Sequence, residues 1–168
     1  MNTITKTGLN IMKIGAKVAS GSAGLNLLKT TYEEMRVFLE DITQGQSINY
    51  ISLTDNYYYI PTYDEAIDVL ENVVQFFNIP YVKDTFDCDN FSYLVSATMG
   101  WVFKTNCCGV VHGAVNIGHF WNSIVCYKDS KLALIHYDAM RGLWKEQEKG
   151  QPIRINGWTY KPDSYRYF

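Results

Sequence analysis

The residue with the most chemistry in prospect is Cys88, in the run Phe86-Asp87-Cys88-Asp89-Asn90-Phe91. A thiol attacks a carbonyl only as thiolate, and a free cysteine holds little of that form at neutral pH. Asp87 is a good N-cap. Phe91, Leu94, Val95, Thr98 and Val102 recur at helical spacing behind it, which places Cys88 in the first turn of a helix with a buried stripe. A helix N-terminus offers oriented N–H groups and about half a positive charge, both favourable to an anion. Asp87 and Asp89 oppose thiolate formation, so the arrangement requires a nearby cation, and imidazolium is the usual one.

Two histidines compete for that role. Strands over His119 to Tyr127 and Lys131 to Asp138 flank a Lys128-Asp129 turn, and a two-residue turn there sets His119 directly opposite Asp138. Their Cβ atoms would then be about 4.5–5.5 Å apart on one face, and a carboxylate beside an imidazole orients the ring and stabilises its charged form. His112 lies in a glycine-flanked loop with no such partner. The plainer reading makes Cys88 a core cysteine and His119 a satisfied strand-end residue. Trp121 shares the His119 face and either lines a cleft or belongs to the core.

The other cysteines, Cys107, Cys108 and Cys126, lack these features and read as structural. Four cysteines in 168 residues form no disulfide framework. Zinc on Cys107, Cys108, His112 and His119 would need vicinal cysteines to chelate together, at a spacing no common site uses. Two carboxylates at Asp87 and Asp89 do not make an EF-hand loop. The reading therefore assigns no metal and no cofactor from the residues themselves.

The elements that must position these groups follow helices first, strands second. A helix is expected over Tyr32 to Asp41, and short strands over Ile48 to Leu53 and Tyr57 to Ile60. Thr62-Tyr63-Asp64-Glu65 reads as a capping box, opening a helix through Phe77 that Asn78-Ile79-Pro80 stops. Ile153 to Ile155 and Trp158 to Lys161 add strand after the hairpin. Residues 1–30 are rich in small and polar residues and read as a flexible N-terminal arm, leaving 31–168 as a single α+β domain. A net charge of -2 gives no footprint for nucleic acid. No apolar run reaches the roughly 18 residues of a membrane span, and lysines interrupt any signal-peptide core. The expected localisation is cytoplasmic or virion-associated. The 13 tyrosines, several in the tail from Tyr160 to Tyr167, suit either an aromatic core or a contact surface.

Asp87-Cys88-Asp89-Asn90-Phe91, Gly118-His119-Phe120-Trp121-Asn122 and Tyr137-Asp138 together resemble the papain-like thiol peptidase superfamily. More narrowly, they are similar to the protease domain at the C-terminus of mushroom agglutinins and its bacterial and phage relatives, over roughly residues 60 to 145. The resemblance implies a papain-like fold, with helices packed on a small antiparallel sheet. It makes Cys88 the nucleophile, His119 the general base and acid, and Asp138 the orienting residue. It also implies calcium, with Asp87 and Asp89 as ligands. One departure stands out: such enzymes place a glutamine shortly before the cysteine, and Ile79 to Asp87 holds none. Either Tyr81 or the more distant Gln75 takes its place, or the second oxyanion donor is missing.

Two functions follow as expectations. The first is a thiol hydrolase cleaving an amide bond in a peptide or peptidoglycan stem, with an acyltransferase as a variant differing only in the acceptor. The second is an inactive relative, a phage structural or host-interaction protein that binds a protein partner through its aromatic surface.

Overall fold

In the computed structural model, which describes residues 25–77 and 79–168, the organising element is a tight hairpin. Strand β5 (Ile117–Lys128) turns into β6 (Lys131–Asp138) through Asp129 and Ser130, both at positive φ. Two left-handed residues in a row are the mark of a type I′ turn, whose twist matches that of the paired strands. The turn lies one residue beyond the expected Lys128-Asp129, so Tyr127 faces Leu132 and Asn122 faces Tyr137. This shifts the register by two residues, which keeps every side chain on its expected face. Asp138 is therefore diagonal to His119 and not directly opposite it.

Strand β4 (Cys108–Val115) pairs with β5 and includes His112, which the sequence had suggested for a loop. On its other side β4 pairs with β9 (Trp158–Tyr167), a ten-residue strand that also takes β2 (Tyr50–Leu53) in parallel and β8 (Ile153–Ile155) in antiparallel pairing. Strand β7 (Leu143–Glu146) follows β6, giving a seven-stranded sheet that curls until β7 and β8 meet. A separate ribbon pairs β1 (Leu28–Thr31) with β3 (Tyr57–Ile60). Of the expected N-terminal arm, residues 1–24 lie outside the described residues and Leu28–Thr31 is strand.

Three helices complete the described chain. Helix α1 (Tyr32–Ile42) opens with a capping box between Thr31 and Glu34, and α2 (Tyr63–Phe77) opens with the one between Thr62 and Glu65. Helix α3 (Cys88–Phe103) buries Phe91, Val95, Met99 and Phe103. It is pinned to the sheet where Asn122 Nδ2 donates to the carbonyls of Ser92 (2.8 Å) and Gly109 (3.2 Å). The opposite face of β5 carries Trp121, whose ring packs edge-on against Tyr160. Beside it Ser123 bonds Tyr167 at 2.7 Å. Each such fully buried side chain contributes about 1.5–3 kcal/mol by leaving water.

The expectation of helices packed on a small antiparallel sheet is corrected. Nine strands against three helices among the described residues, seven of the strands in a large mixed sheet with β2 parallel to β9, make this a sheet-dominated fold. The reason is long-range pairing. β2 and β9 are separated by more than a hundred positions, and no local pattern announces their partnership. No described helix is long and apolar enough to cross a membrane.

A bulge on β9 shapes the surface beside the site. The β4–β9 register shifts between His112 and Gly113, leaving Asp163 as the extra residue between Ser164 and Pro162. A proline inside a central strand is tolerated at such a break because the ladder bond it cannot donate is already lost. Opposite it, a Cβ on Gly113 would sit 2.2 Å from the Lys161 carbonyl oxygen and 2.8 Å from Pro162 Cα. Gly113→Ala is expected to destabilise the fold by about 2–3 kcal/mol, measured by urea unfolding. A loss within 0.5 kcal/mol would show that the bulge relaxes freely.

Candidate functional site

The site is assembled around a carboxylate with no solvent exposure. Asp138 ends β6, where burial works to raise its pKa. Hydrogen bonds from His119, Tyr160 and Arg141 outweigh burial and bring the pKa below the ordinary value. His119 Nε2 lies 3.0 Å from Asp138 Oδ2, Tyr160 donates its hydroxyl at 2.6 Å, and Arg141 Nη1 donates to the same oxygen. The backbone N–H of Arg141 reaches Oδ1 at 3.2 Å, so the turn after β6 holds both ends of Arg141 on one carboxyl group.

His119 is itself buried, and Nε2 is the ring atom it turns to the carboxylate. With Nε2 turned to the carboxylate, Nδ1 is the ring nitrogen that remains. Nδ1 makes no hydrogen bond among the described residues and is not among their buried polar atoms lacking a partner, so it meets solvent. Arg141 lies with its guanidinium carbon 5.3 Å from the ring centre of Trp158, an exposed side chain.

Cys88 stands apart from this network. It is half-buried at the start of α3, and Asn90 Oδ1 accepts from the Asp87 N–H at 3.2 Å just before it. No hydrogen bond joins its sulfur to His119. Burial pushes the Cys88 thiol up; the Phe120 backbone opposes this, and the charges of Asp87 and Asp89 add to it. The helix N-terminus alone does not produce a thiolate against burial and two flanking carboxylates.

Other residues singled out in the sequence fall as follows. Trp121, expected either on a cleft wall or in the core, has no exposed surface: its Nε1 donates to His136 at 3.0 Å within the core. Tyr81 is exposed in the loop before α3. Gln75 belongs to α2, and its side chain lies outside the described residues. Cys107, Cys108 and Cys126 are buried and unlinked, with thiols pushed up by burial, Cys107 to about 12. No group of three His, Cys, Asp or Glu that could hold a metal occurs among the described residues.

Sequence reasoning missed Arg141, Tyr160 and His136. Arg141 lies three residues past Asp138, a turn spacing that could have suggested it. Tyr160 arrives on a distant strand and carried no local signal. His136 is a structural residue: burial pushes its pKa down to about 3, and its Nδ1 accepts from Trp121. His112 pairs with Asp163 at 2.9 Å on the bulge, and its ring lies 4.7 Å from that of Phe120, which in turn approaches Tyr93 at 6.4 Å. That aromatic rim borders the Cys88 side of the site.

Among known proteins, no family model and no curated sequence matches this chain. Its fold recurs in solved structures. A complex of PSL1a with E64 shares 20% identity at a TM-score of 0.55, covering 83% of this chain and 51% of that one. The Polyporus squamosus lectin bound to a human-type influenza-binding epitope, Neu5Aca2-6Galb1-4GlcNAc, shares 18% identity at a TM-score of 0.52, covering 83% and 49%. The chain thus spans about half the length of the solved chains it matches, and the likeness is one of fold. These findings correct the assignment to papain-like thiol peptidases. The neighbours come from lectin structures, and the labels hydrolase, cysteine protease and catalytic triad do not carry over.

Two measurements test this geometry. Asp138 gains stability from ionisation in the folded state: the gain is complete above the unfolded carboxyl pKa and is lost as pH falls through the lower folded value. Asp138→Asn is expected to cost about 3 kcal/mol at pH 7 and to flatten the acid limb of stability below about pH 4; equal acid limbs would refute the network. Alkylation of Cys88 by iodoacetamide is expected to be slow at pH 7, to rise only in the alkaline range, and to be unchanged in His119→Ala. Fast reaction below pH 7 that His119→Ala abolishes would instead show an activated thiol.

Proposed function

We propose that this chain is a carbohydrate-binding module whose site is the solvent edge of the Asp138 network. The observation that carries the reading is the arrangement of His119. Its ring is clamped from behind by a fully buried carboxylate and turns an unpartnered Nδ1 to solvent, while the nearest thiol neither bonds it nor is driven toward its anion. Polar edges held rigid before a ligand arrives suit hydroxyl recognition, because little ordering entropy remains to be lost on binding.

Exposed Trp158, beside Arg141 at the edge of the network, supplies a flat apolar face for the C–H face of a sugar ring. The fold shared with the Polyporus squamosus lectin supports this reading over amide hydrolysis. It also replaces the expected peptide substrate with a glycan, free or carried on a cell surface.

The test is a titration followed by ligand-observed NMR and calorimetry, using Neu5Aca2-6Galb1-4GlcNAc and neutral oligosaccharides. Saturable binding to at least one glycan is expected, weakened about ten-fold or more in Trp158→Ala or His119→Ala. In parallel, E64 is expected to leave the mass of the protein unchanged. Absence of binding across the panel, or a stoichiometric adduct on Cys88, would overturn the binding reading.

A further inference from the structure

Arg141 uses only one of its three guanidinium nitrogens. Nη1 donates to Asp138 Oδ2, contacts His119 Nε2 at 3.3 Å and reaches the Tyr160 hydroxyl at 3.3 Å. Nε and Nη2 make no hydrogen bond among the described residues. Four buried side-chain polar atoms lack a partner there, on Gln46, Asn122, His136 and Gln147, and neither Nε nor Nη2 is one of them. Both atoms therefore meet solvent, consistent with the 27% of the Arg141 side chain left exposed.

This is an unusual state for an arginine. A structural arginine that neutralises one carboxylate commonly presents two nitrogens to it as a fork. Here the second nitrogen of the fork and Nε are held outward, while the backbone N–H, Nη1 and the Trp158 ring fix the plane of the group. The Nε/Nη2 edge matches the spacing of two carboxylate oxygens, and guanidinium is weakly hydrated enough to receive them. Among the described residues Asp138 is the only acid in contact with Arg141. The pair is neutral as a whole, and the Nε/Nη2 edge of the guanidinium keeps N–H donors for a second anion.

We infer that the outward edge of Arg141 is a carboxylate-binding subsite, and that the preferred ligand of this chain bears a carboxylate within reach of Trp158. The inference rests on the carbohydrate-binding reading for its source, an acidic sugar, and adds to it a named recognition group.

The experiment compares Neu5Aca2-6Galb1-4GlcNAc with its uncharged portion Galb1-4GlcNAc, in the wild type, Arg141→Lys and Arg141→Gln. The acidic trisaccharide is expected to bind the wild type about ten-fold more tightly. Arg141→Lys retains a positive charge but has no planar fork, so the ratio between its affinities for the acidic and the neutral sugar is expected to fall most of the way to one. Equal affinity of both sugars for the wild type would overturn the Arg141 subsite and leave the carbohydrate reading standing.

If neither sugar binds, the carbohydrate reading fails and the subsite is judged by itself. The Arg141 Nε–H resonance is then followed during titration with acetate against chloride at matched ionic strength. A saturable shift specific to acetate supports a carboxylate site for a non-sugar ligand, and no shift overturns it. Thermal unfolding of both variants separates loss of binding from loss of fold.

Discussion

A single buried carboxylate holds the functional face of this protein together. Asp138 has no water around it, and an uncompensated charge there would cost several kcal/mol. It is compensated by donors from three places: His119 at the start of β5, Arg141 in the turn after β6, and Tyr160 on β9. These lie far apart along the chain, so the charge ties the hairpin to the central strand. Because every one of these bonds points inward, the outward edges of the same groups are fixed as a consequence. The surface chemistry of the site is the reverse side of a stability requirement.

Strand β9 is the second dependence. It pairs with three strands, delivers Tyr160, Tyr165 and Tyr167 to the core, and carries the Pro162–Asp163 bulge that turns Asp163 toward His112. Three of the 13 tyrosines lie on this strand. Tyr160, Tyr165 and Tyr167 are buried, and Trp121 fills the space between them and His136, with its N–H satisfied by the histidine. The aromatic tail is thus core rather than contact surface. The aromatic rings left exposed or half-buried include Trp158, Tyr93 and Phe120.

The thiol and the histidine illustrate how neighbouring groups can be placed without being coupled. Cys88 starts a helix on one face of the sheet, whereas His119 projects to the other and directs Nε2 to a carboxylate. Helix position, burial and two acidic neighbours act on the thiol in opposing directions, and the net effect is to raise its pKa.

Much of the local structure was legible in the sequence because its causes are local. The Thr62–Glu65 box, the helix beginning at Cys88, the strand Lys131 to Asp138 and the common face of His119 and Asp138 follow from capping chemistry and the two-residue period of a strand. That period is why a two-residue shift of register left the faces intact. What the tertiary structure decided were the matters that depend on distant partners. The pairing of β2 with β9, the arrival of Tyr160 at Asp138 and the burial of Trp121 all depend on residues far apart in the chain. Sequence spacing specifies which way a side chain points; only the assembled sheet specifies what it meets.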